Sequence, residues 1–201
     1  MSAPLQIYVI RHGETAWSLS GQHTGRTDLP LTPHGQLMAR ALATALKGIT
    51  FSLVLTSLQL RARTTCALAG FGGSGVQTEP NLAEWDYGDY EGLRTAEIQT
   101  LHPAWDVWID GCPGGETPAS VSARADQLIA RLRDLSGNLL LFSHGQFGRV
   151  LAARWIGLAV TEGQHFALAP ASISILGFET DHPHRRVISL WNSTAFCRPH
   201  A

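Results

Sequence analysis

Four short runs of apolar residues predict buried strands. They cover 5–10, 51–56, 138–142 and 172–178. Each run is nearly continuous in hydrophobicity, which is typical of parallel strands that helices cover on both faces. A fifth segment, 185–191, predicts an edge strand that turns back and pairs with 172–178.

Apolar residues recur at helical spacing between these runs. The pattern predicts helices within 37–46, 121–135 and 147–158. Thr117-Pro118 has the form of an N-cap followed by proline in the first helical position. Alternating strands and helices predict an α/β protein with three layers: a doubly wound, mostly parallel central sheet with helices on both faces.

The organisation along the chain predicts a single domain over 1–201. A polar, tryptophan-containing stretch suggests a cap-like excursion around 85–118, over one end of the sheet. The glycine-rich segment 70–75 lacks the lysine of a phosphate-binding loop and is interpreted as a flexible connection.

Composition narrows the class of protein. A formal net charge of −1 gives no reason to expect nucleic acid or an acidic membrane surface as a partner. Fourteen of the fifteen basic residues are arginine, whose planar fork suits phosphate. The odd number of widely spaced cysteines (Cys66, Cys112 and Cys197) argues against a disulfide framework. With no signal peptide or long apolar run in view, we expect a cytoplasmic protein.

Two of the predicted strands end on a histidine followed by glycine. The run 5–10 leads into Arg11-His12-Gly13, and the run 138–142 leads into Ser143-His144-Gly145. A third run, 51–56, leads towards Arg61, which we expect about one turn inside the following helix. Open α/β sheets bind their ligands at the carboxyl ends of strands, so these side chains should converge on one crevice. Two arginines and two histidines there predict a site for a tetrahedral dianion.

These segments, taken in order with Glu84, resemble the histidine phosphatase superfamily, in the branch that includes cofactor-dependent phosphoglycerate mutases. The resemblance covers nearly the whole chain. It implies that His12 is a nucleophile that becomes phosphohistidine, and that Arg11, Arg61 and His144 hold the phosphoryl oxygens.

Glu84 is the candidate general acid and base. A leaving alkoxide needs a proton and water must then be activated, and one carboxyl group can do both if an apolar surround raises its pKa. The aromatic-rich segment 82–92 could supply that surround. Its other acidic residues, Asp86, Asp89 and Glu91, are interpreted as surface loop charges.

A finer resemblance is to the subgroup that contains sedoheptulose-1,7-bisphosphatase. It is carried by the segments 21–33, 84–92 and 108–117. The resemblance implies hydrolysis of small phosphorylated metabolites, sugar mono- and bisphosphates above all, by a metal-independent phosphatase that needs no cofactor. Thr24 and Gly25 would contact the substrate and Arg149 would meet a second phosphate, with a surface helix charge as an equal alternative. The full set expected to bind substrate is Ser18, Thr24, Gly25, Tyr87, Gly145 and Arg149.

Two positions qualify this resemblance. Leu58 stands where the family often has proline, which should relax that turn without removing Arg61. His23 is interpreted as a solvated loop residue slightly in preference to one that faces a ligand.

Other functions are kept open. Phosphoglycerate mutases resemble the chain at the catalytic residues, but no lysine or arginine lies between Arg94 and Arg124, which favours a phosphatase. A zinc hydrolase is disfavoured because arginines would oppose a divalent cation. A non-catalytic phospholigand-binding module would typically lack His12 or Glu84. The expected partners are a phosphorylated small molecule and inorganic phosphate as product, without nucleic acid or membrane, and a homodimer is kept open.

Overall fold

The computed structural model of the protein describes residues 3–194, and a mixed sheet forms its centre. The strands are β1 (Gln6–Arg11), β2 (Leu53–Thr56), β3 (Val76–Thr78), β4 (Asn138–Ser143), β5 (Ile173–Phe178) and β6 (Arg186–Ser193). Their order across the sheet is β3-β2-β4-β1-β5-β6. The strand order doubles back along the chain, as expected for a doubly wound α/β fold.

Strand direction matches the expectation of a mostly parallel sheet. β1, β2, β3 and β4 run parallel, whereas β5 is antiparallel to β1 and β6 is antiparallel to β5. The expectation that the run 172–178 is a parallel strand is therefore wrong. A continuous apolar run reports burial on both faces, not direction. The pairing of the last strand with β5 is confirmed.

Helices occupy the segments between the strands. They are α1 (Ala16–Ser20), α2 (Pro33–Ala45), α3 (Leu60–Cys66), α4 (Thr95–Leu101), α5 (Val107–Asp110), α6 (Pro118–Leu132) and α7 (Gly145–Trp155). Short 3-10 turns lie at Pro80–Leu82, Gly88–Tyr90 and Val160–His165. The three helices that the apolar spacing predicts are all present, although α6 and α7 each end three residues before their last predicted position.

Capping explains where α6 begins. The hydroxyl of Thr117 accepts the backbone N–H of Ser120, and Pro118 occupies the first turn, as the sequence predicts. The N–H groups at the start of a helix have no partner within the helix, so this cap satisfies one of them.

Two apolar clusters flank the sheet. One joins Leu139 and Leu141 of β4 to α6 and α7. The other joins Leu140 and Phe142, the alternate residues of β4, to α2. Alternate residues of a strand point to opposite faces, so the central strand contributes to both clusters and the layers are helix, sheet, helix.

The segment 85–118 contributes large aromatic side chains to the first cluster. Tyr90, Trp105 and Trp108 are all buried there. The excursion that the sequence predicts is therefore packed onto the body of the protein through its own apolar side chains.

The glycine-rich segment is not wholly the flexible connection that we expected. α3 continues into a π-helical turn, Ala67–Phe71, in which Gly70 adopts a φ of +93°, and the chain then forms β3. Gly70 suits this left-handed conformation because it has no Cβ. Within residues 3–194, no helix is long and apolar enough to cross a membrane.

Candidate active site

The register of the central strands brings the two predicted histidines together. Arg11, the last residue of β1, pairs with Ser143, the last residue of β4. His12 continues this ladder by donating its backbone N–H to the carbonyl of Ser143 at 2.9 Å. The rings of His12 and His144 therefore lie 5.2 Å apart, measured between their centroids.

His12 presents one ring nitrogen to the site. Its Nδ1 lies 2.7 Å from the carbonyl oxygen of Gly13, so Nδ1 carries the proton and Nε2 keeps its lone pair. Burial, and then the charges of Arg61 and Arg11, lower the pKa of His12 well below its ordinary value. The imidazole is therefore neutral near pH 7, which is the form that can act as a nucleophile.

Arg61 is fully buried, and its charge is near enough to His12 to lower the pKa of that imidazole. It is the second residue of α3, not one turn inside the helix as expected. Its Nη atoms donate to the carbonyl oxygens of Thr24, Gly25 and Thr27 at 2.9–3.0 Å. Its Nε has no partner among the described residues, so a donor remains for a ligand.

Arg11, which precedes His12 in the chain, has a similar arrangement. Its Nη1 donates to the carbonyl of Leu168 at 2.5 Å, and its Nε is buried with no partner within residues 3–194. Burial lowers the pKa of Arg11, and the charge of Glu84 opposes that shift. Both guanidinium groups are thus anchored by carbonyl groups while retaining a free N–H.

His144 is held by a serine that the sequence analysis did not single out. Its Nε2 lies 2.7 Å from Oγ of Ser57, and its Nδ1 has no partner among the described residues. Burial, followed by the charge of Arg61, lowers the pKa of His144 well below its ordinary value. The Ser57 hydroxyl donates its one hydrogen to Oε1 of Gln59, so its oxygen accepts Nε2–H of His144, and Nδ1 of the neutral ring keeps a lone pair.

Glu84 reaches the amino terminus of α7. Oε1 accepts the backbone N–H of Trp85 at 2.9 Å and that of Phe147 at 2.8 Å, and Oε2 accepts the N–H of Gln146 at 3.1 Å. The expectation of an apolar surround is therefore wrong for the helix side, because these N–H groups are among those that a helix leaves unpaired. The carboxyl group is fixed in place by three donors.

His12 and Glu84 line the same cleft, a cavity of about 240 Å³. Of the residues expected to bind substrate, all but Gly25 line it: Ser18, Thr24, Tyr87, Gly145 and Arg149. Burial and the neighbouring Glu84 raise the pKa of Tyr87 well above its ordinary value, so its phenol remains a donor. The hydroxyl of Ser18 already exchanges hydrogen bonds with Thr15 at the start of α1.

Gly25 does not line the cleft, and its backbone supports Arg61 instead. Its carbonyl accepts from Arg61, and its N–H donates to the carboxylate of Glu91 at 2.8 Å. Glu91 also accepts the N–H of Thr27 at 3.1 Å. The interpretation of Glu91 as a surface loop charge is therefore wrong, because this carboxylate shapes the loop that holds Arg61.

Two more loop residues have structural contacts. Asp86 forms an ion pair with Arg26 at 2.7 Å and accepts the N–H of Gly88, so it is not a free surface charge either. His23, interpreted as solvated, is partly buried and stacks on Tyr87 at 4.5 Å. Burial lowers the pKa of His23. Asp89 is exposed, as expected.

A second compartment opens beside the cleft. It has a volume of about 460 Å³ and shares His23, Gln146 and Arg149 with the cleft. Arg149 donates to the carbonyls of Gly163 and Gln164 and lies over the ring of Trp108 at 4.8 Å. It is therefore a partly buried cation between the two compartments, not a free surface charge.

Chemistry, not volume, identifies this cleft as the candidate site. A larger cavity of about 610 Å³, lined by Tyr90, His102, Trp105 and Cys112 among others, contains none of the predicted site residues.

The cysteines do not add to the site. Cys66 and Cys112 are both free thiols whose pKa burial raises to about 12, and Cys197 lies outside the described residues. In residues 3–194, no three His, Cys, Asp or Glu side chains are grouped so as to hold a metal ion.

Sequence reasoning missed three residues that support the site. Ser57 contacts His144, Glu91 holds the loop at Gly25, and Arg124 binds the backbone around Glu84. Ser57 lies in a segment that the resemblance already used, so its position after a strand was an available signal. Nothing in the local pattern marked the other two.

An α/β sheet with paired histidines, buried arginines and one carboxyl group at its strand ends defines a phosphoryl-binding class of protein. A family model described as histidine phosphatase superfamily (branch 1) matches residues 7–194. The chain therefore belongs to branch 1 of the histidine phosphatase superfamily, as the sequence indicated.

The relatives include phosphatases. The acid phosphatase of Mycobacterium tuberculosis is 43% identical over 178 residues, which cover 87% of this chain and 87% of that protein. The sedoheptulose 1,7-bisphosphatase of Saccharomyces cerevisiae is 37% identical over 183 residues, covering 76% of this chain and 68% of that protein. A solved structure of an open reading frame product of Mycobacterium tuberculosis matches with a TM-score of 0.86 and 40% identity, covering 93% of this chain and 96% of that one.

Proposed function

We propose that the protein is a phosphomonoesterase that hydrolyses small phosphorylated metabolites through a phosphohistidine on His12. The observation that carries the proposal is the free Nε2 of a neutral His12 in a cleft that Arg11 and Glu84 also line. The ring of His144 lies 5.2 Å from that of His12 between centroids, and the charge of Arg61 is near enough to lower the pKa of His12. A pocket rich in cations stabilises the negative charge of the phosphoryl group in the transition state of its transfer. This stabilisation is the main contribution that a protein makes to the reaction.

The first half-reaction transfers the phosphoryl group to the protein. Nε2 of His12 attacks phosphorus, an Nε2–P bond forms, and the P–O bond to the alcohol breaks. The free N–H groups of Arg11 and Arg61 hold the phosphoryl oxygens, and Nδ1 of His144 accepts the hydrogen bond of a protonated phosphoryl oxygen. Glu84 gives a proton to the leaving oxygen from Oε2, which accepts one backbone N–H whereas Oε1 accepts two.

The second half-reaction returns His12 to its starting state. Glu84, now ionised, takes a proton from water, the resulting hydroxide bonds to phosphorus, and the Nε2–P bond breaks. Inorganic phosphate leaves and Glu84 is again protonated. Nothing in this cycle calls on a metal or a cofactor.

Sugar phosphates, including bisphosphates, are the substrate class that we propose. The similarity to a sedoheptulose 1,7-bisphosphatase favours them, and so does Arg149, a cation that borders both the cleft and the second compartment. Glutamine and threonine side chains in the second compartment (Thr95, Gln99, Gln146 and Gln164) offer hydrogen bonds to the hydroxyls of a sugar.

His12→Ala tests the chemistry. We expect loss of turnover with an unchanged thermal unfolding temperature, whereas quenched wild-type protein should carry phosphate on His12 by mass spectrometry. Substantial phosphatase activity in His12→Ala would overturn the proposal. A panel of sugar phosphates, glycerates and nucleotides, compared by kcat/KM, tests the substrate class.

The same assay separates the other functions. Loss of activity in EDTA would favour a zinc hydrolase, and phosphoryl transfer to 3-phosphoglycerate without release of phosphate would favour a mutase. Tight binding of phosphate esters with no turnover would favour a binding module.

A further inference from the structure

A largely buried arginine on α6, Arg124, binds the backbone from Asn81 to Glu84. The Nη1 of Arg124 donates to the carbonyls of Asn81 and Ala83 at 2.9 and 2.7 Å, and its Nη2 donates to the carbonyl of Glu84 itself at 3.3 Å. The side chain of Arg124 is only 15% exposed. A single guanidinium group therefore binds three carbonyls within four residues of chain.

Glu116 links the residues that follow Glu84 in the chain to the same guanidinium group. Its carboxylate pairs with Nε and Nη2 of Arg124 at 2.9 and 2.8 Å, in the planar two-bond geometry that makes such pairs specific. It also accepts the backbone N–H of Asp86, and its carbonyl accepts the indole N–H of Trp85. The chain before and after Glu84 is thus tied to one ion pair.

The same arginine contacts a residue that holds the Glu84 carboxyl group. The guanidinium carbon of Arg124 lies 4.4 Å from the ring centroid of Phe147, and the backbone N–H of Phe147 donates to Oε1 of Glu84 at 2.8 Å. Arg124 is not among the residues that line the cleft. Arg61 and His144 do not line it either, but all five N–H groups of Arg124 already donate to protein oxygens, whereas Nε of Arg61 has no partner among the described residues. Arg124 therefore lies beside the backbone and the carboxyl partner of Glu84 with no donor left for a substrate.

We infer that Arg124 is a positioning residue for proton transfer: it sets where the carboxyl group of Glu84 stands relative to the leaving oxygen. The inference rests on the proposed function, in which Glu84 protonates that oxygen. A carboxyl group displaced by about an ångström loses proton transfer sooner than it loses phosphoryl binding, because the arginines that bind the phosphoryl group are held by other contacts.

The distinguishing measurement is the dependence of kcat/KM on the leaving group. Phosphorylation of His12 governs kcat/KM, and an alkyl phosphate needs a proton on its leaving oxygen whereas p-nitrophenyl phosphate does not. A series of alkyl and aryl phosphates should be compared for the wild type, Glu84→Gln, Arg124→Met and Arg124→Lys. Thermal unfolding and the Ki of inorganic phosphate are measured alongside.

Arg154→Met is the matched control. Arg154 on α7 pairs with Asp126 on α6 through two bonds of 2.9 Å, so it joins the same two helices away from residues 79–86. Glu116→Gln serves as a second variant if Arg124→Met does not fold, because it weakens the ion pair and leaves the arginine in place.

We expect Arg124→Met to lower kcat/KM for alkyl phosphates by roughly 10- to 100-fold, as misplacement by about an ångström does. The loss with p-nitrophenyl phosphate and the change in the Ki of phosphate should be much smaller. Arg124→Lys should recover part of the loss, Glu116→Gln should show the same selectivity more weakly, and Arg154→Met should show none.

Two failures are distinguishable. Equal losses with alkyl and aryl substrates in Arg124→Met, while Glu84→Gln loses alkyl substrates selectively, would overturn the positioning role alone. No selectivity in Glu84→Gln would overturn the role proposed for Glu84, and the inference with it.

Discussion

The guanidinium group of Arg11 packs against Gly145, because Gly145 has no Cβ atom to occupy that space. A Cβ atom built on Gly145 would lie 3.2 Å from both Cζ and Nε of Arg11, closer than ordinary van der Waals contact. Gly145→Ala should therefore push Arg11 by a few tenths of an ångström. We expect kcat/KM to fall about tenfold, because small displacements of a phosphoryl-binding group are costly.

Gly73→Ala is the control for this prediction, since a Cβ there would meet no atom of residues 3–194 within 4 Å apart from its neighbours in the chain. The Ki of inorganic phosphate reports the loss directly, as Arg11 is proposed to bind it. An unchanged Ki in Gly145→Ala, with folding intact, would show that Arg11 does not contact the phosphoryl group.

Acidic pH should leave the nucleophile active. Burial and the charges of Arg61 and Arg11 lower the pKa of His12 well below its ordinary value of about 6.5. A lowered pKa means that His12 stays neutral as the pH falls through 6.5 and takes up a proton only at lower pH. Protonation of His12 should therefore not reduce kcat/KM between pH 7 and pH 6.

Arg11→Met tests whether the charge of Arg11 lowers the pKa of His12. Removing a neighbouring positive charge raises the pKa of His12, so the acidic limb of kcat/KM should move to higher pH. NMR titration of the imidazole follows the same change independently of turnover. If Arg11→Met changed neither the pH of the acidic limb of kcat/KM nor the NMR titration of His12, the charge of Arg11 would not be what lowers the pKa of His12.

The strand ends were predictable from sequence because the signal is local. An apolar run followed by His12 or His144 needs only the rule that parallel strands end at one edge. Glu91 was interpreted as a surface charge and Arg124 was not singled out, because their partners, Gly25 and the backbone at Glu84, lie tens of residues away in the chain. An acidic residue in a polar loop looks the same in sequence whether it faces water or backbone N–H groups.

Strand β3 was missed for a different reason. Its three residues, Val76–Thr78, are too few to show a period, and only Val76 is even partly buried. Its place is set by pairing with β2, a contact that hydrophobic pattern does not encode. The direction of β5 was misjudged because burial on both faces does not depend on strand direction.

Glu91→Ala should loosen the loop that holds Arg61. The carboxylate accepts the N–H groups of Gly25 and Thr27, and hydrogen bonds to charged groups are each worth about 1.5–3 kcal/mol. We expect kcat/KM to fall and amide exchange to rise across 24–27. Asp89→Ala, an exposed acid in the same segment, is the control. Exchange rates that match the wild type would show that Glu91 does not order this loop.

Arg149 should discriminate bisphosphates from monophosphates. Its guanidinium group lies between the cleft and the second compartment, fixed by the carbonyls of Gly163 and Gln164. A phosphate at the far end of a sugar would pair with it, whereas a monophosphate has no group to do so. Arg149→Met should therefore lower kcat/KM for a sugar bisphosphate about 10- to 100-fold, since losing a charge-assisted contact costs roughly 1.5–3 kcal/mol.

The matched substrate is the monophosphate of the same sugar, for which kcat/KM should change little in Arg149→Met. High salt should reduce the advantage of the bisphosphate in the wild type, because the contact is partly exposed and therefore screened. The prediction is wrong if wild-type protein turns over both substrates equally, or if Arg149→Met lowers both by the same factor. Arg149 would then support Trp108 and the 163–164 turn without reading a second phosphate.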